Sequence, residues 1–235
     1  MKGASVIRLG GMCSILIGVV SFLVGLTYLL LPAEQKLGMR APDLLPSFAQ
    51  NPTLLTLQSI ELAVVGLLGL ALVPAVYQLL ESVDEGWMRW MSALAYLGYG
   101  VMAVSNLLVA GRLPGIAAAF VAGDASTKSA LAPVWRSTLD WQAWWQQGAV
   151  GAWILVSSLL ALRNNALPRS LALLGIVAAV VQVLVPIAFV FKIPSFITVI
   201  AAIGGIVETV WYIWLGLALR RQFSPQLQPR PGGAM

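Results

Sequence analysis

Six apolar runs, each long enough to cross a lipid bilayer, are the feature that most limits what this chain can fold into. A transmembrane helix needs about 20 consecutive apolar residues, because the hydrocarbon core is about 30 Å thick and a helix rises about 1.5 Å per residue. The runs cover about residues 9–31, 54–73, 88–110, 146–163, 169–190 and 197–219. The sequence therefore predicts an all-α fold, a polytopic transmembrane helical bundle of six spans.

The composition agrees with a membrane domain and rules out an ordinary soluble one. Only 10% of the 235 residues are charged, whereas soluble domains average about 25%. Residues 1–222 are expected to form a single transmembrane domain. Residues 223–235, rich in Pro and Gly, are expected to form a flexible cytoplasmic tail.

Missing residue types exclude several chemistries. The chain has no histidine and one cysteine, Cys13. An intramolecular disulfide, a zinc ribbon, a histidine-ligated haem or a Ser-His-Asp triad therefore cannot be built, and we expect no metal and no cofactor. The net charge of +5 does not indicate nucleic-acid binding, because the basic residues are scattered singly rather than gathered on one face.

The basic residues favour an orientation with both termini in the cytoplasm. With the N-terminus inside, eight lysines and arginines fall on the cytoplasmic side and six on the other. The inner group also lies closer to the span ends, where the positive-inside rule applies. We therefore predict a multi-pass protein that is N-in and C-in.

The two longer outer connections carry different signals. The first, 32–53, contains four prolines and is expected to be irregular. In the second, about 111–145, Ser137 and Asp140 have the spacing of a capping box and predict the start of a helix. The apolar window 113–121 is too short to span, and it predicts either an extension of the third span or an interfacial turn.

Tryptophans are concentrated in the second connection. Trp141, Trp144 and Trp145 would share one face of the helix expected there, and Trp135 precedes them. Because tryptophan prefers the headgroup level, we interpret this group as an aromatic anchor at the outer interface. A ligand cage is the alternative.

The spans show signs of an internal repeat. Arg8, Arg89 and Arg169 open the odd-numbered spans at spacings of 81 and 80 residues, and Glu61 and Glu208 are each followed, seven residues on, by Leu-Gly-Leu-Ala-Leu. We interpret spans one–two and five–six as parallel copies of one helical hairpin, with spans three–four a more diverged copy. The alternative is chance matching in a chain rich in Leu, Ala and Val.

The repeat makes a prediction about Pro74. The sixth span ends at Arg220, so the second should end or kink near Val73. Proline is favourable at the first position of a helix. Residues 74–82 would then form a separate short segment.

Glu61 and Glu208 are the only acidic residues inside the predicted spans. Each lies 12 residues before the expected inner end of its helix, which is roughly 18 Å and near the bilayer midplane. An ionised carboxylate is costly there, so we expect each to be protonated, hydrogen-bonded or facing a water-filled cavity. Further groups at similar depth complete the candidate ligand-binding site: Gln58, Asn106, Gln182, Trp211 and Tyr212.

Two interpretations of these residues stay open. In the first, they form a polar pocket between the repeats, with both carboxylates facing the bundle interior at similar depth, which binds a small molecule or moves a proton. In the second, they only fix helix packing by interhelical hydrogen bonds. Catalysis is less favoured, because no nucleophile, metal cluster or phosphate-binding loop accompanies the two carboxylates.

A resemblance to a known family rests on the stretch from Ala166 to Gly175, which contains Leu-Pro-Arg before the fifth span, and on Glu208 with the Trp-Tyr-Ile-Trp-Leu-Gly ending of the sixth. The chain resembles the bacterial six-helix membrane family catalogued as domain of unknown function 4386. The resemblance implies six spans and a location in the inner (plasma) membrane, and it implies no substrate.

The function favoured at this point is binding or transport of a small, apolar or weakly polar molecule in an intramembrane pocket. One alternative is an accessory or structural subunit of a larger membrane complex. The other, with least support, is a lipid-modifying enzyme. The partners compatible with these functions are the lipid bilayer, a small-molecule ligand, and a membrane-protein partner or second copy of the chain.

Overall fold

The computed structural model describes residues 2–36, 39–136, 144–191 and 194–222. The expected tail at 223–235, the Ser137/Asp140 capping box and Trp141 lie outside the described residues. Eight α-helices make up the described chain: α1 (Lys2–Leu30), α2 (Ala41–Gln50), α3 (Thr53–Leu80), α4 (Glu85–Ala122), α5 (Ala125–Arg136), α6 (Val150–Asn164), α7 (Arg169–Phe191) and α8 (Pro194–Gln222). A 3₁₀ turn at Ala33–Gln35 and a π-helical segment at Trp144–Ala149, which leads into α6, connect them.

Six of these helices are long and apolar enough to cross a membrane: α1, α3, α4, α6, α7 and α8. The predicted all-α bundle with six spans is confirmed. Each spanning helix packs against its neighbours in chain order, and α1 also packs along α8. The six helices therefore form a closed ring.

Helix α4 is the longest element and extends beyond a single span. Its 38 residues run without a break through Pro114 to Ala122, a length of about 57 Å. The window 113–121 is therefore an extension of the third span, the first of the two structures predicted for it. On the extension Leu113, Ala117 and Phe120 are buried.

The extension of α4 packs with α2 and α5 into a small apolar cluster, which we call the cap. Its buried residues also include Leu44, Leu45 and Phe48 of α2, and Trp135 of α5. The expectation that 32–53 is irregular is wrong for α2. Pro42 lies in the first turn, where the helix needs no amide donor, and the apolar face formed by those α2 residues is buried in the cap.

The expected helix end at Val73 is also wrong. Helix α3 continues through Pro74 to Leu80, and no separate segment begins at Pro74. Ala75, Val76 and Leu80 are at most 2% exposed, and their burial in the core favours continuation of the helix despite the missing amide donor. Glu61 therefore lies 19 residues before the end of its helix, and the argument that placed it at the same distance from the helix end as Glu208 fails.

We call the side at which α1 begins and α8 ends the near side, and the opposite side, which carries the cap, the far side. In the near half and at the middle of the bundle the helices meet closely at glycines. A Cβ built on Gly11 would lie 3.0 Å from the carbonyl oxygen of Gly216, and one on Gly66 would lie 2.6 Å from the amide nitrogen of Ala103. Such contacts bring helix backbones together.

Candidate functional site

A cavity of about 720 Å³ lies in the far half of the bundle. Its wall is built from the second half of α1, the first turns of α3, the middle of α4, the end of α7 and the first half of α8. The wall is mainly apolar. Its far end is lined by Trp135 of the cap and by Gln35 of the 3₁₀ turn that precedes α2. Ligand sites in proteins commonly enclose about 300–1,000 Å³ with mostly apolar walls and a few polar groups.

The polar groups of the cavity are concentrated around Glu208. The side chain of Gln182 on α7 hydrogen-bonds the Glu208 carboxyl and also the Tyr212 hydroxyl. The Tyr212 hydroxyl lies 2.7 Å from that of Tyr99 on α4. Three helices are thus joined by one chain of hydrogen bonds, and its Glu208, Gln182 and Tyr212 line the cavity while Tyr99 lies behind it.

Gly204, one turn before Glu208, lets α8 approach α7 closely. A Cβ on Gly204 would lie 2.8 Å from a side-chain carbon of Val181 on α7, so the bare backbone at this turn brings the Glu208 carboxyl beside α7. Because 3.6 residues complete a turn, Gly204, Glu208 and Tyr212 share one face of α8. That face points into the cavity.

A second polar group lies on the α4 wall. Asn106 donates to the carbonyl oxygen of Met102, at 2.8 Å, and to Oε1 of Gln146, at 3.2 Å. Gln146 belongs to the π-helical segment before α6, and both residues line the cavity. Gln58 on α3 lines it as well, so Gln58, Asn106, Gln182, Glu208 and Tyr212 of the predicted site surround one space.

Glu61 lies elsewhere. Its Oε1 accepts a hydrogen bond from Thr27 of α1 at 3.2 Å, and Glu61 is not among the residues that line the cavity. The two glutamates therefore do not share a pocket, contrary to the sequence-based expectation. Gln58 and Glu61 point about 60° apart around the axis of α3, and Glu61 is on the side of α3 that faces Thr27 of α1.

Trp211 also lies outside the cavity. Its side chain is 2% exposed and packs beside Gly175 of α7, where a Cβ would lie 2.6 Å from the indole nitrogen. Its ring meets that of Tyr212 edge to face, with centroids 4.8 Å apart. Trp211 thus supports the orientation of Tyr212 from the side away from the cavity.

Several residues of the site were missed by the sequence analysis. Tyr99 and Tyr28 are tyrosines inside apolar spans, a signal that could have identified them, because a buried hydroxyl needs a partner. Tyr28 lines the cavity, and Lys36 beside it places its ammonium group 5.9 Å from the Tyr28 ring. Gln35 carried no signal in the sequence. Trp135 was grouped with the aromatic anchor of the second connection, whereas the structure buries it in the cap, where it lines the cavity.

The arrangement offers hydrogen bonds and apolar contact. Among the described residues, no three His, Cys, Asp or Glu side chains form a group that could hold a metal ion. Of the cavity wall that the structure describes, Glu208 is the one acidic side chain and Lys36 the one basic side chain. A ligand there would be held by its apolar surface and oriented by a few polar atoms.

Comparison with known proteins identifies one family. The family described as Domain of unknown function (DUF4386) matches residues 9–217 of the chain. This range contains four of the six spanning helices whole and most of α1 and α8, and it includes every predicted site residue. No curated protein and no solved structure matches the chain.

Proposed function

The chain belongs to the DUF4386 family of integral membrane proteins, and from the geometry of its cavity we propose that it binds or transports a small, weakly polar molecule within the membrane. The observation that carries the proposal is the hydrogen-bonded group Glu208–Gln182–Tyr212, which lines a cavity whose other walls are mainly apolar. Polar side chains at membrane depth are costly, and they are retained most often at binding sites and transport paths.

Helix packing alone explains this arrangement less well than a ligand does. Groups that only fix helices together are enclosed between them, as Tyr99 is, and do not line a cavity. Gln182 and Glu208 instead line an open space of about 720 Å³. The space is too large to be a packing defect, since voids in protein interiors rarely exceed the size of a water molecule.

We propose that the protein lies in the bacterial inner membrane with both termini in the cytoplasm. The boundary arginines support this orientation, since Arg163, Arg169, Arg220 and Arg221 all lie at near-side helix ends. The cavity then opens within the outer half of the bilayer.

Native mass spectrometry of the purified protein tests the proposal. Wild-type protein released from mild detergent should carry a small-molecule adduct, and Glu208→Leu should lose it, because the apolar side chain leaves the Gln182 amide without its partner in the cavity. Gln78→Leu on α3 is the matched control, since Gln78 does not line the cavity.

The outcomes separate the candidate functions. An adduct on wild-type protein and on the Gln78→Leu control, but not on Glu208→Leu, supports binding. A stable complex with another membrane protein, and no adduct, would instead favour the accessory-subunit interpretation, for which the polar groups only fix packing. Adducts of equal abundance on all three proteins would place the ligand outside this cavity and refute the proposal.

A further inference from the structure

The interface between α1 and α8 is closed in the near half of the bundle. A Cβ built on Gly18 of α1 would lie 2.5 Å from a side-chain carbon of Ile213, so the two helices touch there. The Ser14 hydroxyl donates to the carbonyl oxygen of Tyr212 at 2.6 Å, and this buried hydrogen bond ties α1 to α8. Together with the Gly11–Gly216 contact, the Gly18–Ile213 contact and the Ser14 hydrogen bond hold the described parts of α1 and α8 together in the near half.

The same interface is open in the far half. Gly25 follows Gly18 by seven residues, two turns of helix, and so continues the same face of α1. No heavy atom of a neighbouring described element lies within 4 Å of a Cβ built on Gly25, and the same holds for Gly205 on α8. Both glycines line the cavity. Helices α1 and α8 therefore separate towards the far side, and the cavity lies behind the separation.

The exposed part of the cavity wall confirms where the opening is. Some wall residues are also more than two-fifths exposed on the outside of the molecule, which marks the edge of an opening. Among the described residues these all belong to α1 and α8: Phe22, Leu26, Leu29, Ile206 and Val210. We call this gap, edged by those five residues with Gly25 and Gly205, the portal.

The chemistry of the portal restricts what can pass through it. All its edge residues are apolar, and they lie within two helices that span the membrane. The portal therefore faces hydrocarbon rather than water. A charged molecule would lose its hydration on entering from that side, which is strongly unfavourable, so the edge selects uncharged, lipid-soluble molecules.

The end of the cavity behind the portal indicates a polar group on the ligand. Gln182 is 2% exposed. Its amide group bonds Glu208 and Tyr212, while its carbonyl oxygen Oε1 is buried and has no hydrogen-bond partner within the part of the chain described. A buried acceptor without a partner destabilises the folded protein. Because Oε1 has almost no exposed surface, the Gln182 side chain must turn towards the cavity before a ligand can donate a hydrogen bond to Oε1 and remove that cost.

We propose that the cavity binds an uncharged single-chain amphiphile with a hydroxyl head group, which enters sideways from the lipid through the portal and donates a hydrogen bond to Gln182. The inference rests on the proposed function and adds to it the class of ligand and the route of entry. The apolar chain lies along the portal edge, and the hydroxyl lies beside Gln182 and Glu208.

Competitive photolabelling in lipid nanodiscs tests this inference on the full-length protein. The probe is a long-chain fatty alcohol with a photoreactive diazirine near the end of the chain. Unlabelled alcohol of the same length should suppress the labelling. Its methyl ether, which has the same chain but no donor, should compete about tenfold less well, the cost expected for one lost hydrogen bond. Gln182→Leu should remove this difference between alcohol and ether.

Two variants test the route of entry. Gly25→Phe and Gly205→Phe each place a bulky side chain in the portal, where the backbone leaves room for it, and each should abolish the competed labelling. Gly111→Phe on α4 is the matched control, because a Cβ there also has open space and Gly111 does not line the cavity. Thermal unfolding curves verify that each variant is folded.

The two proposals can fail separately. If the alcohol does not compete at all for wild-type protein, the inference is overturned, and the native mass spectra described above decide the proposed binding function. If alcohol and ether compete equally well, or if both portal variants label like wild type, binding stands and the inference is overturned. Should the portal variants not fold, peptide mapping of the wild-type label decides. Labels at residues 22–29 and 203–210 support lateral entry, whereas labels confined to α2 and α5 refute it.

Discussion

At the scale of single residues, the buried tyrosine pair shows how the site is held in place. Tyr99 and Tyr212 are at most 2% exposed, and their hydroxyls lie 2.7 Å apart. Tyr99 also meets the ring of Trp153 on α6 edge to face. Tyr99 lies behind the cavity and is hydrogen-bonded to Tyr212, which lines it, so the cavity's polar end is fixed in part by a group that no ligand touches. Preorganisation of this kind reduces the entropy lost when a ligand binds.

We expect Tyr99→Phe to lower the stability of the folded protein by about 1 kcal/mol, the typical contribution of one buried hydrogen bond. Tyr212 keeps its bond to Gln182, so the loss should stay moderate. Tyr96→Phe is the control, since Tyr96 is on the same helix and is 42% exposed. Denaturant or thermal unfolding in nanodiscs measures the difference, and equal stability of the two variants would contradict the role given to the pair.

Asp124 gives a prediction about pH outside the spans. It caps α5, and hydrogen bonds from the backbone amide of Thr127, and from the side chains of Thr127 and Ser126, lower the pKa of its carboxyl. A lowered pKa in the folded state stabilises α5 above the unfolded pKa of about 3.9, and this contribution is lost as the pH falls through the folded value. Hydrogen exchange should show α5 losing protection over that acidic range.

Asp124→Asn provides the control for this pH dependence. Asparagine keeps an acceptor for the Thr127 amide but does not titrate, so the acid-dependent step in α5 protection should disappear. A wild-type protein whose α5 protection does not change with acidity, after correction for the intrinsic exchange rate, would show that the carboxylate contributes nothing to the cap.

The sequence could predict which polar residues lie at the depth of the site, but not which of them face the cavity. Polar groups inside apolar spans identified Glu208, Gln182 and Asn106, which all line the cavity. The same signal also selected Glu61, which lies between α1 and α3. Hydropathy gives the depth of a residue but not which of two helix interfaces it faces, because that depends on the rotation of the packed helix.

At the scale of helices, equivalent positions of the proposed repeat make equivalent contacts. Gly66 of α3 lies against Tyr99 of α4, and Ile213 of α8 lies against Gly18 of α1. Gly66 and Ile213 each follow the aligned glutamates by five residues, and Tyr99 and Gly18 each follow the aligned arginines by ten. Parallel hairpin copies in a closed ring would produce this pairing of each hairpin's second helix with the first helix of the next. The contacts therefore support the repeat more strongly than the residue matches do.

The repeat predicts similar effects at its two equivalent contacts. A Cβ at Gly66 would lie 2.7 Å from the carbonyl oxygen of Tyr99, and one at Gly18 would lie 2.9 Å from that of Thr209. Backbone atoms cannot rotate away, so Gly66→Ala and Gly18→Ala should each destabilise the protein by about 1–3 kcal/mol. Gly100→Ala on α4 has open space and should be neutral, or stabilising by about 0.5–1 kcal/mol. Unfolding curves for the three variants check this, and an unaffected Gly18→Ala protein would contradict the tight α1–α8 contact.

The spanning helices could be predicted from their strong hydropathy. The end of α3 and the presence of α2 could not, because packing against distant parts of the chain determines them. The six spans follow from apolar length alone. Two expectations based on prolines failed, because α3 does not end before Pro74 and α2 is helical from beside Pro42. In both places burial of the neighbouring apolar face outweighs the local preference of proline, and burial depends on partners that are distant in sequence.

At the scale of the whole molecule, the two sides of the bundle differ in what they carry. The near side has both ends of the described chain and tight glycine contacts. The far side has the cap, the cavity and the portal. This polarity means that the orientation in the membrane decides which leaflet supplies a ligand through the portal. With the N-terminus in the cytoplasm, the portal faces the leaflet on the opposite side.

The orientation can be measured with single cysteines. The only native cysteine, Cys13, is buried, and replacing it with alanine gives a background for cysteines placed at Asn165 between α6 and α7, on the near side, and at Ser126 in the cap, on the far side. If both termini are cytoplasmic, a membrane-impermeant maleimide should label Ser126→Cys in intact cells, and Asn165→Cys only after permeabilisation. A reporter fused after Arg221 should read out as cytoplasmic.

The reverse labelling pattern would show that the bundle is inverted and that the portal lies in the cytoplasmic leaflet. Labelling of both cysteines in intact cells would contradict the six-span topology. The cavity and portal depend only on how the helices pack, so they would survive an inversion, and only the leaflet that supplies the amphiphile would change.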